Sequence, residues 1–188
     1  MDYVFTQGTG TEADPYLVET AADLNGVRDY LDAHFKQMAD IDLSGYANWE
    51  PIGTFVDGQE LEFRGIYDGN GHTISNLTID RPSTEFIGLF GVTTEATIKD
   101  LGLLNVNVTG TNDVGGLVGF NYASSVTSCY YDSETSGCSD IGYGEPKTTT
   151  EMKTQSTFVD WDFTDVWGID PAKNDGYPYL LWQYPNLS

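Results

Sequence analysis

The sequence is poor in positive charge. Eight Lys and Arg stand against 29 Asp and Glu in 188 residues, a formal charge of −21. The cations, Arg28, Lys36, Arg64, Arg81, Lys99, Lys147, Lys153 and Lys173, form no cluster in the sequence. Such a field repels phosphodiester backbones and anionic lipid, which argues against nucleic acid and membrane surfaces as partners. No apolar run reaches the ~18 residues that a membrane-spanning helix needs, so no membrane insertion is expected. Met1-Asp2 leads straight into polar sequence without the regions of a signal peptide, so an exported chain would be a mature or excised fragment. Two histidines and two cysteines leave little for metal or redox chemistry. HExxH, GxSxG and CxxC are all missing, and with them any support for zinc hydrolysis or a serine-hydrolase triad.

What is present points to strands and turns. Glycine is abundant at 21 residues and aromatics reach 13%, a balance that favours a β-rich fold over a helical bundle. "GLFG" (88–91) and "GGLVG" (115–119) are near copies, and each is followed by an apolar cluster, "IKDLGL" (98–103) and "VTSCYY" (126–131). An apolar-x-x-apolar-x-apolar template fits Met38, Ile41, Leu43; Ile74, Leu77, Ile79; Ile98, Leu101, Leu103; and Val126, Cys129, Tyr131. The Gly phrase accompanies it at Gly65-Ile66-Tyr67, Gly88-Leu89-Phe90 and Gly116-Leu117-Val118. Self-similarity at a period of roughly 20–50 residues marks stacked units that bury apolar faces only against their neighbours. "DGNG" (68–71) reads as a turn, and no amphipathic stretch of helix length separates the strands.

These features predict an all-β, parallel β-helix (β-solenoid) in a single domain over 1–188. Ile41, Leu77, Leu101 and Cys129 would form an inward column, with Asn76, Asp100 and Ser128 outward beside it. Residues 1–36 would supply an N-terminal strand and a capping helix over 20–35, with Leu24, Val27 and Leu31 on one stripe and Thr20 as N-cap. About four coils would follow over 37–145. An aromatic-rich C-terminal cap over 146–188 would cover the open strand edge and interior.

"GLFG" and "GGLVG", with "FRGIYDGNGHTISNLTI" (63–79), "CYYDSETSG" (129–137) and "DGYPYLLW" (175–182), resemble the GLUG repeat of large bacterial and archaeal surface proteins. That repeat occurs in adhesins and in the N-terminal region of some immunoglobulin-A-specific metallopeptidases. The resemblance covers nearly the whole chain. It implies a right-handed parallel β-helix at the cell surface or outside the cell, serving adhesion or acting as a non-catalytic stalk. The zinc motif of the metallopeptidases is absent, so their activity is not implied.

Each chemistry can be weighed against a plain structural reading. The acidity fits solubility, adaptation to salt, or calcium binding. "DIDLSG" (40–45) imitates the opening of an EF-hand loop, which makes Asp40 and Asp42 candidate metal ligands. Position twelve is Pro51, however, where a bidentate Glu is needed, and a strand with both carboxylates outward explains the pattern equally. His72 reads as a solvated turn residue. Cys129 takes an apolar column position, and in an oxidising compartment it could pair with Cys138 to close a turn-rich loop. Trp161, Trp167 and Trp182 are candidates for sugar stacking, although a cap must be apolar anyway. No residue is assigned a catalytic role, and calcium is the only cofactor considered.

The expected function is therefore a non-catalytic surface or adhesin-like module contacting extracellular glycan or protein. A polysaccharide lyase or hydrolase on the same scaffold is one alternative, and a self-assembling structural subunit is the other.

Overall fold

The structure is a computed structural model that describes residues 2–57, 59, 61–134, 145–159 and 161–181. In chain order its strands are β1 (Tyr16–Val18), β2 (His34–Gln37), β3 (Ile41–Asp42), β4 (Ile66–Ser75), β5 (Thr78–Asp80), β6 (Phe90–Thr94), β7 (Thr97–Leu104), β8 (Asn107–Thr109), β9 (Val118–Tyr122), β10 (Ser125–Asp132), β11 (Glu145–Lys147), β12 (Trp167–Gly168) and β13 (Tyr179–Leu180). Two short α-helices, α1 (Ala21–Gly26) and α2 (Thr149–Met152), flank the coils.

The strands form a β-solenoid of about three turns, right-handed as parallel crossovers are. The principal sheet runs β1-β2-β4-β7-β10-β11 with β3 beside β4, all parallel. Two smaller parallel sheets, β5–β8 and β6–β9, form the other walls. Equivalent residues stack from coil to coil. Phe35, Tyr67, Ile98 and Val126 form one column, and Ile41, Ile74, Leu103 and Tyr131 another. These belong to one continuous core.

Corners are turned by single residues in the left-handed region, and these recur in step. Asn76 (φ 60°) and Asn105 (φ 51°) occupy one corner, and Asp100 (φ 54°) and Ser128 (φ 50°) a second. Glu95 (φ 52°) and Ala123 (φ 56°) take a third, and Phe86 (φ 60°) and Asp113 (φ 52°) a fourth. An apolar residue two before such a corner and another just after it both face inward, which is the origin of the apolar-x-x-apolar spacing.

The repeated Gly phrase has a steric cause. Phe90 pairs with Val118 as the phrase predicts, and Ile52 pairs with Phe90 one coil earlier. The stacked column is therefore Ile52-Gly53, Phe90-Gly91 and Val118-Gly119. A Cβ on Gly119 would lie 2.6 Å from Ile87 N, and one on Gly91 would lie 2.4 Å from Gly53 O. Only glycine fits where this wall meets the neighbouring backbone. The Gly65-Ile66-Tyr67 phrase belongs elsewhere, because Ile66 pairs with His34 and Thr97 in the principal sheet.

The predicted inward column needs correction. Leu101 and Cys129 do pair, but His72 stands opposite Leu101, and Ile41 pairs with Ile74. Two facts explain the slip. The template occurs at two of the corners of a coil, since Leu103, Val106 and Val108 satisfy it as well as Ile98, Leu101 and Leu103. In addition, "DGNG" is a bulge inside β4, where Asp68 to His72 spans what Lys99 to Leu101 spans on β7. Asn76 accordingly stacks with Asn105, whose Nδ2 donates to Asn76 Oδ1 at 3.4 Å.

Thr20 caps α1 in a reciprocal box with Asp23, as expected. The helix is shorter than the predicted 20–35. It passes at Val27 into one 3-10 turn, and His34 onward joins the sheet as β2, because Phe35 buries more by completing an inward column than by staying helical. Phe5, Tyr16, Tyr30 and Phe35 add an aromatic cluster at this end, with Phe5 and Tyr16 stacked at 4.6 Å.

The aromatic C-terminal cap forms a second buried cluster of Tyr130, Met152, Phe158, Trp161 and Trp167. It reaches beyond the last coil along the outer face of the principal sheet, where Gly102 lies under Trp161 and Gly71 under Trp167. Asp132, 1% exposed, anchors it. Tyr177 Oη donates to Asp132 Oδ2 at 2.6 Å and Thr149 Oγ1 donates at 2.9 Å.

Truncating Leu101, which has no exposed surface, leaves a cavity that both neighbouring coils line. Leu101→Ala is expected to cost about 2–5 kcal/mol, read as a lower urea midpoint. Tyr177→Phe removes a donor from a buried carboxylate and is expected to cost about 1–3 kcal/mol by the same measurement.

Candidate functional site

The residues singled out from sequence do not converge. Asp42 lies outward on β3, and its carboxylate accepts Ser44 N and Oγ and Asn76 Nδ2, each at 2.8 Å. These bonds, led by that from Asn76, hold its pKa below the usual carboxylate range. Asp40 Oδ1 accepts Thr73 N at 2.9 Å and lies 3.5 Å from His72 Nδ1. Leu43 is buried and Asp42 exposed, so the segment is built as a strand. No group of three His, Cys, Asp or Glu able to hold a metal ion occurs among the described residues.

His72 is a correction. It is not a solvated turn residue but lies within β4, only 6% exposed. The bulge after Asp68 carries the chain back into the sheet before His72 is reached. Cys129 is buried in the apolar column, as expected, and its thiol donates to Thr127 O at 3.2 Å. Burial pushes its pKa up to about 12, which suppresses thiolate chemistry. Cys138, its proposed partner, lies outside the described residues, as does Trp182.

Trp161 and Trp167 are buried and stack on each other with centroids 4.2 Å apart. Trp161 also packs edge-on against Tyr130, and its Nε1 donates to Ser128 O at 3.4 Å. Both rings line a groove of about 290 Å³ with Asp68, Lys99 and Asp162, yet burial leaves neither a free face for a sugar ring.

Exposed aromatic surface lies instead on the β6–β9 side. Phe55 and Phe120 are 55% and 39% exposed, and Phe86 sits between them. The centroids are 6.3 Å apart for Phe55–Phe86 and 5.8 Å for Phe86–Phe120, both edge to face. Phe86 also lines a pocket of about 330 Å³ with Arg28, Arg81, Asp29, Glu50 and Glu85. The Arg28 guanidinium lies over Trp49 at 5.0 Å and donates to Asn25 O and Pro51 O. A second groove, about 500 Å³, holds Asp40, Asp175, Asn76, Asn105 and Tyr177. Sequence reasoning missed these surfaces because each draws residues from different coils. The available signal was Phe86 itself, a bulky residue at a corner where its counterpart is Asp113.

Fold and surface together define a parallel β-solenoid with an exposed aromatic flank. No protein-family profile matches the chain. It is 42% identical over 130 residues to a protein of Evansella cellulosilytica named as a Gly-rich membrane protein, covering 63% of this chain and 15% of that protein. It is 40% identical over 124 residues to halomucin of Haloquadratum walsbyi, covering 60% of this chain and 1% of halomucin. The chain thus spans a small part of the length of either relative. A crystal structure described as a candidate immunoglobulin A1 protease from Bacteroides ovatus shares 16% identity, with 95% of each chain covered and a TM-score of 0.42. No helix among the described residues is long and apolar enough to cross a membrane.

The titrating groups predict how stability depends on pH. Its hydrogen bond to Asp23 and its burial raise Tyr3 to about 12. Burial and then Asp132 raise Tyr177 to about 12, and burial also moves Tyr67 upward. These groups favour the protonated folded state, so their contribution is complete below their unfolded pKa values and is lost as pH rises through the folded ones. Asp42 and Glu151, the latter held by Thr148, are lowered. Their contribution holds above the ordinary carboxylate range and is lost as pH falls through the folded values. Thermal midpoints are expected to stay level between about pH 5 and 9 and to fall on either side. Tyr177→Phe should soften the alkaline fall.

Proposed function

We propose that the chain is a non-catalytic surface repeat module that presents a rigid parallel-sheet rod for contact with glycan or protein outside the cell. The observation that carries this reading is the division of labour in the molecule. Of the residues with shifted pKa, Tyr3, Asp42, Tyr67, Cys129, Glu151 and Tyr177 serve a corner, the core or an end of the rod, while exposed Phe55 and Phe120 lie together on one flank. The names of the relatives, a Gly-rich membrane protein and halomucin, support a place at the cell surface. A stacked solenoid suits the role, because its stability accrues coil by coil and its outer rows are held in fixed register.

The test is the size distribution of labelled neutral and acidic polysaccharides after incubation with the protein and calcium. Chain lengths are expected to stay unchanged. Shortened chains would overturn the reading, and Asp40→Asn and Asp175→Asn in the larger groove would then show whether that carboxylate pair carries the cleavage.

A further inference from the structure

Phe86 is an anomaly in three respects. It is a bulky side chain at φ 60°, where the strain that Asn, Asp or Gly would avoid has to be tolerated. Its half-buried ring lies on a flank of a very acidic protein, between two exposed rings from the preceding and following coils. It also forms one wall of the pocket that holds two of the chain's three arginines. In that pocket Arg28 Nη2 and Arg81 Nε are buried with no hydrogen-bond partner among the described residues. Orphaned donors of this kind are rare, and each calls for an explanation.

The charge balance selects the occupant. Asp29, Glu50 and Glu85 line the pocket beside Arg28 and Arg81, so three carboxylates face two guanidinium groups in a molecule of formal charge −21. A carboxylate or phosphate would meet net repulsion there. A hydroxyl both donates and accepts, so a polyol can pair with the arginine donors and the carboxylate acceptors together. One face of a pyranose is a surface of C–H groups that lies well on an aromatic ring. The pocket volume is at the lower end for small-ligand sites, a size suited to one or two sugar units, and the flanking rings extend the surface along the rod.

We infer that the Phe55–Phe86–Phe120 flank and the Arg28/Arg81 pocket form a binding site for a neutral oligosaccharide. Phe86 supplies the stacking face, Arg28 and Arg81 donate to sugar oxygens, and Glu50 and Glu85 accept from sugar hydroxyls. The inference rests on the glycan-contact reading above and names the surface that would perform it.

The experiment is calorimetric titration of the full chain with maltohexaose, cellohexaose, mannohexaose and hexagalacturonate, repeated on Phe86→Asn and Arg81→Gln. Asparagine tolerates the left-handed corner, so Phe86→Asn removes the ring while its melting temperature should match or exceed that of the parent. At least one neutral hexasaccharide is expected to bind with Kd below about 1 mM, and each variant should weaken it about tenfold or more. Neutral binding that stays within about twofold in both variants would overturn this site and leave the glycan reading standing. Binding of hexagalacturonate alone would overturn the neutral class. No binding by any of the four would overturn the inference, while the module reading would still rest on the chain-length assay.

Discussion

Each coil closes because single residues at its corners accept the left-handed backbone region, and everything else in the molecule depends on those corners falling in step. The conformation costs an ordinary residue about 1–2 kcal/mol. Asn and Asp at four of the eight corner positions named above reduce that cost, and contacts between coils offset the remainder. Asn76 Nδ2 donates to Asp42 Oδ1 below it and Asn105 Nδ2 donates to Asn76 from above, so one corner is tied through three successive coils. A corner displaced by one residue would reverse the in-out alternation of the strand that follows. Past the Asn76 and Asn105 corner, Ile79 and Val108 would then face solvent. Corner geometry therefore comes before the core in the logic of this fold, although the core supplies most of the stabilisation.

This dependence explains what could be read from the sequence. The pairing of "GLFG" with "GGLVG" was legible because a steric requirement for glycine acts at both places. The match of Ile98, Leu101 and Leu103 with Val126, Cys129 and Tyr131 was legible because those coils have equal length up to that point. The first coils were not, since the same apolar spacing surrounds two different corners and the bulge at Asp68–His72 adds residues that no periodicity reveals. The end of α1 was hidden for a related reason. Residues 27–35 fit a helical stripe locally, and only the neighbouring Tyr67 and Ile98 make Phe35 worth more in a strand. The aromatic flank was the least legible feature, because Phe55, Phe86 and Phe120 are brought together by coil register alone.

The bulge is held by a small polar network inside an otherwise apolar rod. Gln37 is fully buried, and its Nε2 donates to Ala39 O and Thr73 O, while Tyr67 Oη donates to its Oε1 at 3.0 Å. Asn70, at the left-handed residue of the bulge, donates through Nδ2 to Gln37 O. Buried polar groups are tolerable when they find partners, and here the carbonyls of Ala39, Thr73 and Gln37 supply them. The network ties the end of β2 to the bulge in β4, which accounts for Gln37 at this depth without invoking chemistry.

The two ends of the rod are treated differently, and that asymmetry decides which surface is left uncovered. At the N-terminal end an aromatic cluster and α1 lie against the first strands, with Leu24 and Val27 in the main core. The C-terminal aromatics turn sideways instead and cover the outer face of the principal sheet down to Gly71. Among the described residues β8 pairs only with β5 and β9 only with β6, so the cap protects one wall of three. A protein that needed only to shield its last coil would set its aromatics across that end. Here they armour the broadest sheet, and a different wall, that of β6 and β9, carries exposed Phe55 and Phe120 with half-buried Phe86 between them. That side is kept in line from coil to coil by the register of β6 with β9.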